Sequence, residues 1–569
     1  MGKLMILVRL FLLFLSCYGY IQCLRRSVRP EFCIGLLFSC IGSILFLAGI
    51  LNLLRLTAWV LFAGGLVLAG FSMKQKERIS DLICGGTVFF LLLVSLFPLL
   101  LYGSELETYD NFTHWAMAVR VLIEEYRFPN FQDTYIFFTS YPLGSTCFIF
   151  YFIEIVGSSA EWMQMYAQAI LMAGMTVGLF AFARGRISTL VVAIFSVFLL
   201  CSNNCFFDLP VDNLLALTAL GVASFCLYYR RDLKDRLWCI VPYAVFLMNV
   251  KNSGLLFVIV LYGYLWFTLK CEKLCPQKWL ILFAVPVVAL ILWQKHVALV
   301  FPNGMSGPHS MSLSYYFQKV EEKQLSDILF ISKLLVREIF ALSNRGFWTL
   351  LAGLVCWLIM RRATGSPCGE LRAALLLSAV TYVLYQIGMV CMYLSSMPTS
   401  EALGLASYDR YHRTVITFMA GLFLMGVLQT VHPPQGCESW KSVQAYVLCT
   451  AIAALIVFAL ALSPDFTILQ RQQLEGTMRA KYDRLISDYG IPQNAEMILV
   501  TQKDDRGYLI FLTHYLLRPQ QLIMQTEDDL TLEGLSYIDY IIVFDESEKT
   551  DAFLSELSPG YSDPVFYLY

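Results

Sequence analysis

Apolar windows recur along the chain at 4–24, 32–51, 56–73, 82–102, 161–183, 188–207, 212–229, 237–250, 254–270, 278–296, 346–361, 372–396, 412–431 and 442–463. A helix rises 1.5 Å per residue and the hydrocarbon of a bilayer is about 30 Å thick, so windows of roughly 20 residues predict membrane-crossing helices. Windows 237–250 and 254–270 meet at "VKNSG", which suits either a tight turn or a break within one region. From about 464 the pattern changes. The runs "AEMILVTQ", "QLIMQ", "YIDYIIVFD" and "VFYLY" alternate with helical segments such as "SEKTDAFLSEL", which predicts a small α/β domain. The expected fold is therefore an all-α polytopic membrane protein with about 14 transmembrane helices and a small C-terminal α/β domain. Residues 1–81 form N-terminal accessory helices, 82–463 the transmembrane core and 464–569 the soluble domain.

Lys and Arg collect in "RRSVR" (25–29), "KQKER" (74–78), "RGR" (184–186), "RRDLKDR" (230–236), "KCEKLCPQK" (270–278) and "RRATGSPCGELR" (361–372). Cytoplasmic loops retain positive charge. All six share one side only if "SYPLGSTCFIFYFIEIVG" (140–157) dips into the outer leaflet without crossing, which makes 103–160 a single first external loop. Segments 208–211, 251–253, 297–345 and 397–411 and both termini then face outward, although Lys3 and Arg9 pull the amino terminus the other way.

Composition sharpens this picture. With 58% hydrophobic and 15% charged residues and a mean hydropathy of +0.64, the chain has too much apolar surface for a soluble globule. The net charge of -1 excludes a nucleic-acid binder, which needs an excess of cations for phosphate. Many of the 17 cysteines lie in apolar windows, where a thiol acts as a small hydrophobe, so no disulfide framework is expected. Cys271 and Cys275 lack companion ligands, and the six histidines lack zinc spacing. The apolar start has no small-residue cleavage site and reads as a retained span. Compact loops without sorting signals fit a bacterial cytoplasmic membrane.

Candidate chemistry gathers at predicted outer edges. "SELETYDNFTHWA" (104–116) follows a span and opens an amphipathic helix that places Asp110, Thr113 and His114 on one face. A half-desolvated carboxylate there can take a proton from a hydroxyl; the blander reading makes Asp110 a helix cap and Trp115 an interfacial aromatic. "FFDLPVDNLLAL" offers Asp208 and Asp212, with Asp212 as an alternative cap. "VKNSGLL" offers Lys251, or merely a snorkelling lysine. "SYDRYHR" offers Arg410, His412 and Arg413, with an Asp409–Arg410 pair as the structural alternative. The loop 297–345 is too long for a simple connection, and its His309, with Tyr141 of the first loop, is a candidate contact.

"YDNFTHWA", followed some thirty residues on by "SYPLGS", resembles the first external loop of GT-C-type polytopic glycosyltransferases, the superfamily of protein mannosyltransferases and aminoarabinose transferases. Leu143 stands where the family often has a second proline, and "SYDRYHR" resembles its "ERY" element with Asp409 in place of glutamate. The resemblance spans most of 82–463 and implies an inverting transferase taking sugar from a polyprenyl-phosphate-linked donor. By the same resemblance Asp110 is the catalytic base. Asp208, Asp212 and His114 bind acceptor or a divalent cation such as Mg or Mn, and Arg410, Lys251 and Arg413 hold the donor phosphate. Expected partners are the lipid-linked donor, membrane lipids and a glycan, lipid or protein acceptor, with no nucleic acid. A flippase or transporter of lipid-linked sugars should show broken paired repeats and mid-membrane charges, whereas polar residues here sit at span ends. A polysaccharide polymerase using external arginines, and an assembly protein whose C-terminal domain does the binding, are the other competing readings.

Overall fold

A computed structural model describes residues 2–75, 77–203, 206–230, 232–270, 276–302, 313–431, 440–502, 505, 507–528, 530, 538–558 and 563–567. The chain is an all-α membrane protein in its larger part. Among the described residues eight helices are long and apolar enough to cross a bilayer, including Leu4–Leu24, Pro30–Ile50, Glu161–Phe182, Gly369–Ser395 and Tyr408–Val431. Others of the expected windows hold shorter helices, including Gly85–Leu101, Asp212–Tyr228 and Leu237–Val250. The helix Gly144–Val156 has 13 residues and is about 20 Å long, too short to cross alone.

Two compact units divide the chain. The first comprises 1–105, 118–132 and 138–470. Glu161–Phe182 and Tyr408–Val431 are its most enclosed long helices, while Leu4–Leu24 and Leu54–Lys74 turn most of their side chains outward. Leu4, Leu7, Phe11, Leu56 and Val60 are exposed, as lipid-facing residues must be. These two outer helices meet through small residues, because hydrocarbon gives packed apolar side chains little advantage and close backbone approach replaces it. A Cβ on Gly19 would collide with the Gly65 carbonyl. Beside them Ser16 Oγ donates to the Phe62 carbonyl at 2.9 Å and Tyr20 Oη to that of Leu61 at 2.8 Å.

The second unit joins 106–117 and 133–137 to 471–569. It is thus discontinuous, and its main boundary lies at 471 where the sequence pattern placed a contiguous domain from 464. Strands β1 (Met497–Thr501), β2 (Leu522–Thr526), β3 (Tyr540–Val543) and β4 (Val565–Tyr567) form one sheet in the order β2-β1-β3-β4. β1 is parallel to both neighbours, with Ile498 opposite Ile523 and Ile541, and β4 closes the edge antiparallel. Ile498, Val500, Ile541, Val543, Phe553 and Leu554 pack as its core.

The loop segments are integral to this unit. Phe112 is fully buried, its ring 5.7 Å from Tyr508 and 5.1 Å from Tyr515, with the Arg479 guanidinium above it. Tyr508 Oη donates to the Glu107 carbonyl at 2.8 Å, and the Phe137 N–H donates to the Thr113 carbonyl at 3.0 Å. Phe112→Ala should therefore destabilise the second unit by about 3–5 kcal/mol, the usual cost of emptying a core phenylalanine site. Limited proteolysis across 471–569 reads this out, and unchanged protection would contradict the packing described.

Candidate functional site

In the first unit three chain segments bring together residues that the sequence left separate. Asp212 opens the helix Asp212–Tyr228, Lys251 follows Leu237–Val250 in extended backbone, and Arg410 lies in the first turn of Tyr408–Val431. Lys251 Nζ donates to Asp212 Oδ1 at 2.6 Å, and Arg410 Nε lies 3.3 Å from Asp212 Oδ2. The Tyr411 ring passes beneath Lys251, 4.8 Å from its nitrogen. Asp212 and Lys251 are 3% and 9% exposed. Charges so far out of water persist only when paired, so this carboxylate is the shared counter-ion of two cations rather than a helix cap.

Neutral hydrogen bonds fix the helices that carry the triad. Ser202 Oγ donates to Asn213 Oδ1 at 3.0 Å and lies 2.8 Å from Thr417 Oγ1. Asn213 Nδ2 donates to the Leu200 carbonyl at 2.9 Å. Asn203 Nδ2 donates to the Arg410 carbonyl at 3.3 Å. Gln168 Nε2 reaches the carbonyls of Asp208 and Pro210, each at 3.3 Å, which steadies the loop before Asp212.

Lys251 and Tyr411 line a groove of about 520 Å³. Leu255, Leu256 and Ile259 form one apolar wall and Leu384, Ile387 and Met392 another; Tyr141, Asn252, Tyr316 and Tyr385 complete it. The "SYPLGS" segment is seated beside this groove by Trp293 Nε1, which donates to the Ser140 carbonyl at 2.9 Å, and by Asn252 Nδ2, which donates to the same oxygen at 3.3 Å. Its glycine is required by close approach, since a Cβ on Gly144 would lie 2.6 Å from the Asn249 carbonyl oxygen.

The expected site residues divide accordingly. Tyr141 and Lys251 line the groove, with Asp212 and Arg410 joined to Lys251 by charge. Arg413 pairs with Asp409 at 2.7 Å, so the structural alternative drawn for Arg410 belongs to Arg413. His412 stacks on Tyr408 at 5.7 Å. Asp208 is half-buried on its loop, and His309 lies outside the described residues. Asp110 and His114 belong to the second unit. There residues Asn111–Trp115 form a π-helical turn for which Asp110 provides no side-chain cap. His114 is buried with its ring edge on Trp115 at 4.6 Å. Among the described residues no three His, Cys, Asp or Glu side chains gather as metal ligands. Both Asp212 oxygens face cations, so that donor set does not fit a resident Mg or Mn.

Sequence reading missed Asn252, Tyr316, Tyr385 and Tyr411 as groove residues. Asn252, inside the quoted "VKNSGLL", and Tyr411, inside "SYDRYHR", lay near a signal. The pairing of Asp212 with Lys251 had one available clue: opposite charges at the ends of apolar windows must find partners.

His514 of the second unit stacks on Tyr135 at 5.9 Å, and burial pushes its imidazole down to about 4. Its helix, Tyr508–Leu517, has 10 residues and cannot span a bilayer. The folded unit therefore binds fewer protons than the unfolded chain between about 4 and the ordinary 6.5, so stability is complete above that window and falls as pH drops through it. The loss should reach about 3 kcal/mol from this group. His514→Gln should flatten the slope of unfolding free energy against pH; an identical slope in the variant would remove the assignment.

Comparison of the chain with protein-family profiles, with curated proteins and with solved structures yields no match.

Proposed function

We propose that this protein is a GT-C-like membrane glycosyltransferase that moves a sugar from a polyprenyl-phosphate-linked donor to a glycan, lipid or protein acceptor at the outer face of the plasma membrane. The observation that carries the reading is the groove, lined mostly by apolar side chains and including Lys251 and Tyr411, with Arg410 joined through Asp212. A prenyl phosphate has the matching composition, a hydrocarbon tail ending in an anion. One Lys251 N–H serves Asp212, and an ammonium has three donors, so the cation can grip phosphate without leaving its counter-ion.

In the proposed reaction an acceptor hydroxyl attacks the anomeric carbon. The new glycosidic C–O bond forms as the sugar–phosphate C–O bond breaks, its electron pair leaves on the phosphate oxygen, and the hydroxyl proton passes to Asp110. Negative charge grows on the departing phosphate, so fixed cations there favour the transition state over the ground state. Asp208 is proposed as an acceptor contact; the membrane domain is proposed to have about 14 spans, and the C-terminal α/β domain is proposed to face outward as the charge pattern predicts. Supporting the reading further is the spacing of "YDNFTHWA" and "SYPLGS" in one loop.

The test is incubation of purified protein with radiolabelled prenyl-phosphate sugars and membrane extract. Label should leave the lipid fraction for a new acceptor at a rate that scales with enzyme. Intact donor accumulating across the bilayer of a sealed vesicle, without a new glycosidic bond, would instead establish a flippase.

A further inference from the structure

Outside the groove, the helix Leu325–Phe340 carries an apolar stripe that no described residue of its own unit covers. Leu325, Leu329, Val336 and Phe340 are 71%, 62%, 55% and 81% exposed. Their spacing of 4, 7 and 4 residues returns each to nearly the same side of a 3.6-residue helix. Ile331 and Leu335, on another side, are buried. The helix is therefore apolar twice over, once toward the protein and once away from it. Lys333 and Arg337 are exposed and fall at the margin of the outer stripe, whereas Asp327 falls on the far side by the same geometry; Arg337 Nη2 pairs with Glu338 Oε1 at 2.9 Å while its side chain stays 70% exposed. A helix with four charged residues among 16 is not a membrane span.

Its two ends are fastened to one membrane helix. At the start, Lys323 is 5% exposed, and its Nζ donates to the Met397 carbonyl at 2.7 Å, just beyond the span Gly369–Ser395. At the other end Asn344 Nδ2 donates to the Ile339 carbonyl at 2.9 Å and to that of Glu338 at 3.1 Å. Asn344 Oδ1 accepts from Tyr382 Oη at 3.0 Å, within that same span. Tyr382 and Met397 are fifteen positions apart, about 22 Å along a helix axis, and 16 helical residues measure about 24 Å. The helix thus runs beside the last turns of a membrane span instead of standing out in water. Phe347 and Trp348, which follow at once, are exposed aromatics of the kind that collects at headgroup level.

We propose that the outer stripe of Leu325–Phe340 is a lipid-docking surface that lies along the last turns of Gly369–Ser395, with Lys333 and Arg337 reaching lipid phosphates and favouring anionic lipids. An apolar face flanked by cations is a composition that binds lipid. Both fastening points lie on or next to a span, so the bilayer is the partner already in place. Tyr316, on the preceding helix Leu313–Glu321, lines the groove, and seating this segment in lipid sets the depth at which that wall stands.

The inference does not rest on the transferase reading. Its test is full-length protein in nanodiscs of mixed zwitterionic and anionic phospholipid, carrying a photoreactive benzophenone amino acid in place of Leu329, Val336 or, as control, the exposed Glu322. Leu329 and Val336 positions should give phospholipid adducts by mass spectrometry and Glu322 should give few. Lys333→Gln with Arg337→Gln should lower the anionic share of those adducts several-fold, since each cation near the surface is worth about a factor of five. Adducts to a second copy of the chain, or no lipid adducts at either stripe position in monodisperse protein, would overturn the docking surface. An unchanged anionic share would overturn the role of the two cations.

Discussion

Asp212→Asn should lower the stability of the membrane unit by about 3–5 kcal/mol, the usual consequence of removing one member of a buried ion pair. The amide leaves the Lys251 ammonium, 9% exposed, without the carboxylate that now sits 2.6 Å away, and it leaves Arg410 without its 3.3 Å contact. The magnitude separates two explanations. An acidic residue valued only for its place at a helix N-terminus is worth about 0.3–1 kcal/mol. A shared counter-ion costs several times more, and its loss should be largely restored by also removing a cation, because charge then leaves with its partner. Thermal inactivation of Asp212→Asn, Lys251→Met and the double variant completes the cycle. The double variant should be more stable than Asp212→Asn alone while having lost the groove cation, so recovered folding with poor donor binding is the expected combination. Simple additivity of the two losses would show that the groups are not coupled.

Asp110→Asn should abolish transfer while leaving the protein folded and membrane-inserted. An amide keeps the shape of the carboxyl group but cannot take a proton, and general bases contribute about 10²–10⁴ in rate. The drop should appear in turnover with donor binding unchanged, because the proposed donor contacts are Lys251 and Arg410. Asp110 supplies no side-chain cap to its turn, so the substitution removes no helix cap. Full activity in this variant would end the proposed role for Asp110, and a parallel loss of folding would assign it a structural one.

Much of the membrane architecture could be read directly from hydropathy. Long spans such as Pro30–Ile50 and Gln444–Leu462 announce themselves because a bilayer demands length and apolarity together. Strand positions in 497–567 were legible for a related reason, since buried parallel strands are short continuous apolar runs. Contacts were less so. Asp409 and Arg413 stand four apart on one helix, a pairing that spacing could have supplied, yet Asp212 meets Lys251 across 39 positions, and nothing local encodes that meeting. The π-helical turn at Asn111–Trp115 was equally hidden, because one extra residue per turn has no hydropathy signature. Grouping of 106–117 with 471–569 was the least accessible feature, as it depends on aromatic packing between segments far apart in sequence.

That last feature has a consequence in time. Arg479 donates to the Leu106 carbonyl across 373 positions, so Leu106, Phe112 and their neighbours leave the ribosome long before the residues that will cover them exist. At about 5–20 residues per second, the interval is roughly 20–75 seconds, and throughout it a nascent chain bears an uncovered aromatic segment. Biogenesis should consequently depend on a holding factor at the membrane, and a chain halted before 471 should be cleared by quality control instead of accumulating as a shortened protein.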